Sequence, residues 1–180
     1  MVITFQSDQQ KSVYKRVARL MIGLFGDHCT AAQHTSTFAV EVGSAEVEVM
    51  ILPWHDDALV LVRATVVSGA RVDEALLEHL LRLNMQHDFG AFALAENNDI
   101  VFKHGIMGAN LDENELRMSV WGVMRAADDH DDEIKSTWGG KRAIDVNPNV
   151  RVTSGSDRID GDFSDETEAI HIDELTKIGV

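Results

Sequence analysis

The hydrophobic pattern of the first 140 residues switches repeatedly between two periods, and that alternation constrains the fold more than any single motif. From Gln9 to Phe25, Val13, Val17, Leu20, Met21 and Leu24 recur at three- and four-residue steps, the mark of an amphipathic helix that Gly26-Asp27 ends. From Thr35 to Gly43 the period drops to two: Phe38, Val40 and Val42 alternate with Thr37, Ala39 and Glu41. After a turn at Gly43-Ser44, Glu46 to Leu52 alternates again with Val47, Val49 and Ile51 on one side, which predicts a hairpin. Pro53 to Asp57 reads as a loop, and Ala58 to Val67 is almost continuously apolar, as expected of a central strand covered on both faces.

The second half repeats the alternation. Val72 to about Gln86 places Val72, Leu76, His79, Leu80 and Leu83 along one helical side, with Asp73 and Glu74 in the first turn, where the helix dipole favours anions. Gly90 to Ala95 and Ile100 to Lys103 then predict a second hairpin around Glu96-Asn97-Asn98-Asp99. Asp112 followed by Glu115 opens a last helix in the manner of a capping box, and Trp138-Gly139-Gly140 closes it. The order α-β-β-β-α-β-β-α predicts an α+β fold with an antiparallel five-stranded sheet.

Composition shifts near residue 141. The last forty residues carry nine acids against five bases, with Phe163 their only aromatic and the loop-like runs Asn147-Pro148-Asn149 and Ser154-Gly155-Ser156-Asp157. Such a segment buries too little apolar surface to offset its ordering entropy. The expected division is a domain over 1–140 and a largely disordered acidic tail over 141–180. Within the tail, Ala169 to Ile178 restores apolar content and is a candidate docking segment.

Charge narrows the function classes. A formal net charge of −14 excludes a nucleic-acid partner, since phosphate backbones are held by clustered Lys and Arg, and disfavours anionic membrane surfaces. No apolar run approaches the ~20 residues of a spanning helix. The start MVITFQSDQQ lacks the basic and apolar regions of a secretory signal, and the single Cys29 suits a reducing compartment, so a cytoplasmic location is expected.

The stretch Leu80 to Asp112 carries a further signal. Leu80, Leu83 and Asn84, then Gly90, Phe92 and Leu94, then Ile100 and Phe102, then Leu111-Asp112 stand in an order and spacing that resemble the YbjN family, which groups with type III secretion chaperone-like domains. The resemblance implies a small, non-enzymatic and usually dimeric domain that binds peptide segments of other proteins, as a chaperone or a signalling regulator. It implies no cofactor. The chain departs from the family pattern in its Asn97-Asn98 hairpin turn and its acidic extension after Lys141.

Few residues suggest chemistry of their own. Asp128-Asp129-His130-Asp131-Asp132-Glu133 offers oxygen ligands for a hard cation, with Asp128 and Asp132 one helical turn apart. A cation-responsive regulator is therefore the alternative function, and a solvated helix face is the plain reading. Asp131 falls on the apolar side of this helix, and five acids crowd its C-terminal half against the dipole, which predicts a kink or fraying over Ala127 to Glu133. His28, Cys29 and His34 match no zinc spacing, His79 reads as a satisfied core or edge histidine, and Gly105 to Gly108 resembles no phosphate loop. The residues that stand out as partner-binding candidates are Met118 and Trp121, opposite the last helix's core face, and Trp54 in the loop after Pro53.

Overall fold

A computed structural model describes residues 3–42 and 45–146. The first helix, α1 (Asp8–Phe25), starts where the side chain of Ser7 accepts from the Gln10 N–H at 3.0 Å and ends at Gly26, whose φ is +50°. Its apolar stripe, Val13, Tyr14, Val17, Ala18 and Met21, is buried. Gln10 lies on the same stripe, and the burial of its amide is offset by bonds: Nε2 donates to the Ile51 carbonyl at 2.9 Å and Oε1 accepts from the Gln6 N–H at 2.8 Å.

Among the described residues seven strands form one antiparallel sheet: β1 (Cys29–Ala31), β2 (Thr37–Val42), β3 (Ala45–Trp54), β4 (Asp57–Ser68), β5 (Ala91–Leu94), β6 (Ile100–Met107) and β7 (Lys141–Arg142). Their order is β1-β2-β3-β4-β6-β5, with β7 paired to the end of β4. The five expected strands are present, and β1 and β7 add to them. The expected loop at Pro53 to Asp57 is instead a tight hairpin, since Trp54 pairs with Asp57 and only His55 and Asp56 turn, His55 at φ +46°. β6 also runs past its expected end at Lys103, with Gly105 to Met107 held by pairing to Leu61, Val60 and Leu59.

Helices α2 (Glu74–Asn84) and α3 (Glu113–Trp138) complete the core, with a single turn α4 (Ala143–Val146) after β7. One sheet face, with Phe38, Val40, Val47, Val49, Ile51, Val60, Val62, Phe102 and Ile106, packs against the apolar stripes of α1 and α3. The other face is only partly covered, which corrects the expectation for β4: Leu59 and Leu61 remain half-buried while Ala58, Val60 and Val62 are sealed. Leu52, Leu59 and Met107 form a cross-strand row there.

α2 stops at Asn84, six residues before Gly90, and the intervening connection turns back to the sheet. The Asn84 amide clamps it, accepting from the Phe92 N–H at 2.7 Å and donating to the Phe92 carbonyl at 3.3 Å. This closes the outer edge of β5 at Phe92 against strand addition. Gly90 is required, because at φ +83° a Cβ would lie 2.6 Å from the Phe102 ring. Asp73 caps α2 through the Leu76 N–H at 3.0 Å and also accepts from the Trp138 indole at 3.1 Å, tying α2 to the end of α3.

α3 is one unbroken helix, so Ala127 to Glu133 is neither frayed nor interrupted. Residues 141–146 take part in the fold, since Arg142 and Lys141 pair with Val67 and Ser68. The Gly43-Ser44 turn and the expected tail beyond residue 146, with its Ala169 to Ile178 island, lie outside the described residues.

Candidate functional site

The N-terminal half of α3 stands over the end of β6 and leaves a groove of about 670 Å³. Its start is set by Asp112, whose carboxylate accepts from the Glu115 N–H at 2.7 Å, so both carboxylates sit on the groove's lining with Asn114 between them. Met118, Ser119, Gly122 and Val123 supply the helix wall. His104 comes from β6 and Phe89 from the connection after α2, their rings edge to face at 5.9 Å. Met118 is 58% exposed and Phe89 77%, large apolar side chains that water would otherwise shed. The groove can take apolar side chains, and its Asp112 and Glu115 carboxylates suit a lysine or arginine beside them.

Behind Phe89 lies a cluster of imidazoles. His87 packs against Phe92, Phe102 and His130 with ring centroids at 5.6, 4.9 and 5.5 Å. His130, from α3, also meets Phe92 at 5.4 Å, and His79, from α2, meets Trp138 at 5.1 Å. Nε2 of His79, Nε2 of His87 and Nδ1 of His130 are buried with no hydrogen-bond partner among the described residues. His79 is thus on the helix edge as expected but not satisfied; Glu133 stands 3.7 Å from its Nε2, an ion pair only when the ring is charged. Burial and the neighbouring His87 hold the His130 imidazole below its ordinary pKa, against a smaller upward pull from Asp129 and Glu133.

The acidic run is largely paired within the chain. Asp129 meets Arg125 at 3.4 Å and Asp132 meets Arg142 at 2.7 Å. Asp131 is 8% exposed, and burial, with Asp132 adding repulsion, pushes its carboxyl up to about 6 despite Arg142. Among the described residues no group of three or more His, Cys, Asp or Glu is arranged to hold a metal, Asp128 and Asp132 included. Cys29 stays a thiol, its pKa pushed by burial up to about 11.

Of the candidates read from sequence, Met118 lines the groove. Trp121, one residue from Gly122, is half-buried and outside the lining. Trp54 is 49% exposed at the β3–β4 hairpin, with His55 edge-on at 5.4 Å, far in sequence from the groove residues. The structure does not bring the three into one site. No sequence pattern marks Phe89 and His104, and an exposed stripe on α2 carries Leu77, Leu81 and Met85 at 42%, 68% and 87% exposure. Their four-residue spacing was visible, but the opposite side of the helix is apolar too.

The chain from 11 to 146 matches the model of a family described as T3SS (YopN, CesT) and YbjN peptide-binding chaperone 1. A chain of the crystal structure of the ExsC-ExsE complex superposes with a TM-score of 0.54 at 16% identity, over 67% of this chain and 95% of that one. At that identity the likeness concerns the fold. Among curated proteins, none matches the sequence. No helix of the described residues is long and apolar enough to cross a membrane.

Proposed function

Because the chain belongs to the T3SS and YbjN peptide-binding chaperone family, we propose that its groove between α3 and β6 captures a short segment of another protein. The segment carries apolar residues for Met118, Val123 and Phe89, with Lys or Arg beside them for Asp112 and Glu115. The protein works without catalysis, as a cytoplasmic chaperone or signalling regulator. The observation that carries this reading is the pairing of an apolar groove with carboxylates in a chain of net charge −14. Such complementarity selects partners and speeds their encounter more than it adds affinity.

The test uses two labelled peptides of about twelve residues, long enough to fill a groove of this kind: one of Leu and Lys, one of Leu and Glu. Anisotropy titration should give at least about tenfold tighter binding of the Leu–Lys peptide. The preference should shrink at about 0.5 M salt. Met118→Ser should weaken binding. Equal affinity for the two peptides, or binding of neither, refutes the reading.

The working unit is a homodimer joined through α2. Leu77, Leu81 and Met85 are the kind of unpartnered apolar ridge that a second copy covers, and Met is enriched at interface cores. Light scattering should report twice the 19.9 kDa chain mass, and Leu81→Asp should halve it. A wild-type mass of one chain overturns the dimer.

A further inference from the structure

His87, from the connection to β5, and His130, from α3, meet in a nook walled by Phe92 and Phe102, and His79, from α2 and packed on Trp138, is near enough to oppose a charge on His130. A neutral imidazole has one donor and one acceptor nitrogen, while a charged one needs two acceptors. His87 and His130 each have a buried nitrogen with no partner among the described residues, so a second N–H there has nothing to donate to, while a charged His79 has only Glu133 at 3.7 Å.

The groups facing the central pair are these. His87 and His130 face each other at 5.5 Å, and both face Phe92, from β5; Phe102, from β6, faces His87. Asp129 and Glu133, on the same helix as His130, favour its charge, while His79 and His87 oppose it. Among the described residues the one imidazole–carboxylate ion pair is His79–Glu133. One proton can be tolerated beside aromatic edges and those carboxylates. Two charged rings at this spacing repel in a partly buried site. A shared metal is not the alternative, since the trio does not converge on a point where an ion could sit.

His87 stands two residues before Phe89, the groove wall contributed by the same connection. We propose that the three imidazoles form a proton-operated latch on the groove: neutral, they hold the 85–90 connection and Phe89 against the domain, and charged, they release it. The consequence for a bound segment rests on the groove being the binding site; the latch itself does not. Burial disfavours a charge on His130 and acidification forces one onto it, so the latch opens as pH falls. Asp131 titrates nearby, but its charged neighbours are Asp128, Asp132 and Arg142 rather than the imidazoles.

Hydrogen exchange of the full chain at about pH 7.5 and about pH 5.5, corrected for intrinsic rates, tests the latch without any ligand. Protection over 85–92 should fall about tenfold or more at the lower pH while β3 and β4 keep theirs. His87→Gln and His130→Gln each remove one charge of the pair and should cut that loss to less than about threefold; should one variant fold poorly, the other reads the same pair. His104→Gln, which touches Phe89 outside the trio, should leave the loss intact. The Leu–Lys peptide should bind more weakly at the lower pH to the wild type but not to His87→Gln. Unchanged protection at 85–92, a loss shared equally by β3 and β4, or full pH dependence in both trio variants overturns the latch. If the peptide fails to bind at pH 7.5 while exchange behaves as stated, the groove reading falls and the latch stands.

Discussion

Replacing Asp131 by Asn should stabilise this protein at neutral pH, although the substitution removes a charge from a helix that already has Arg142 beside it. Asp131 is 8% exposed on the core side of α3, and burial, followed by repulsion from Asp132, raises its carboxyl from 3.8 to about 6. A folded-state pKa above the unfolded one means that the native protein binds this proton more tightly than the unfolded chain does. The favourable contribution is complete below pH 3.8 and is lost as pH rises through about 6. At pH 8 the ionised carboxylate therefore costs about 3 kcal/mol relative to its neutral form, from about two pKa units at about 1.4 kcal/mol each. Asn matches the neutral form in shape and retains an amide that must also be desolvated, so the net gain is about 2 kcal/mol. For a domain of this size that raises Tm by about 4–8 °C. Thermal melts by circular dichroism at pH 8 and pH 4 measure it: the gain should be present at pH 8 and close to zero at pH 4. An Asn variant that melts at or below the wild type at pH 8 refutes the reasoning, since it would mean Arg142 outweighs burial.

Other outcomes follow from single contacts. Asn84→Ala strips both bonds from the Phe92 backbone and should lower stability by about 1–3 kcal/mol, read as a lower denaturant midpoint at unchanged slope. Gly90→Ala should cost at least about 1–3 kcal/mol by the same measurement, because φ +83° is strained for Ala and its Cβ would meet the Phe102 ring and the Lys103 carbonyl. Cys29, with its thiol pushed to about 11, should react with iodoacetamide at pH 8 at least about tenfold more slowly than free cysteine. His130 behaves oppositely to Asp131: its lowered pKa means stability present above the ordinary imidazole value and lost as pH falls through the lowered one. As pH rises through the mildly acidic range, wild-type stability should therefore lose the Asp131 contribution between 3.8 and about 6 and regain the His130 one, and Asp131→Asn should leave only the gain.

Much of the fold could be read in the sequence because each long element has a single dominant period. The period places α1 within one residue at its start, and Asp112 places α3 through a cap that the structure contains. Elements that depend on a distant partner escaped. β1 is three residues long and shows no period, and Lys141–Arg142 becomes strand only because the end of β4 needs a neighbour. β6 reads as ending at Lys103 until β4 pairs with it as far as Met107. The same distinction divides the site. Met118 was legible because helical geometry alone puts it opposite the core. Phe89 and His104 reach the groove from two other elements, and His79, His87 and His130 come near one another only once α2, its connection and α3 are packed together. Asp131 was legible as an anomaly, a carboxylate on an apolar face, but its repulsive neighbours and the Arg142 contact needed the fold.

The central claim is that the groove beside Met118 holds the partner segment. Methyl and aromatic NMR of the full chain during titration with the Leu–Lys peptide tests it most directly, because the apolar surfaces report through separate residues. Saturable shifts at Met118, Val123 and Phe89, with Leu52, Met107 and Leu81 unmoved, are the predicted result. Shifts confined to Leu52 and Met107 on the open sheet face, or to Leu81 on α2, would contradict it.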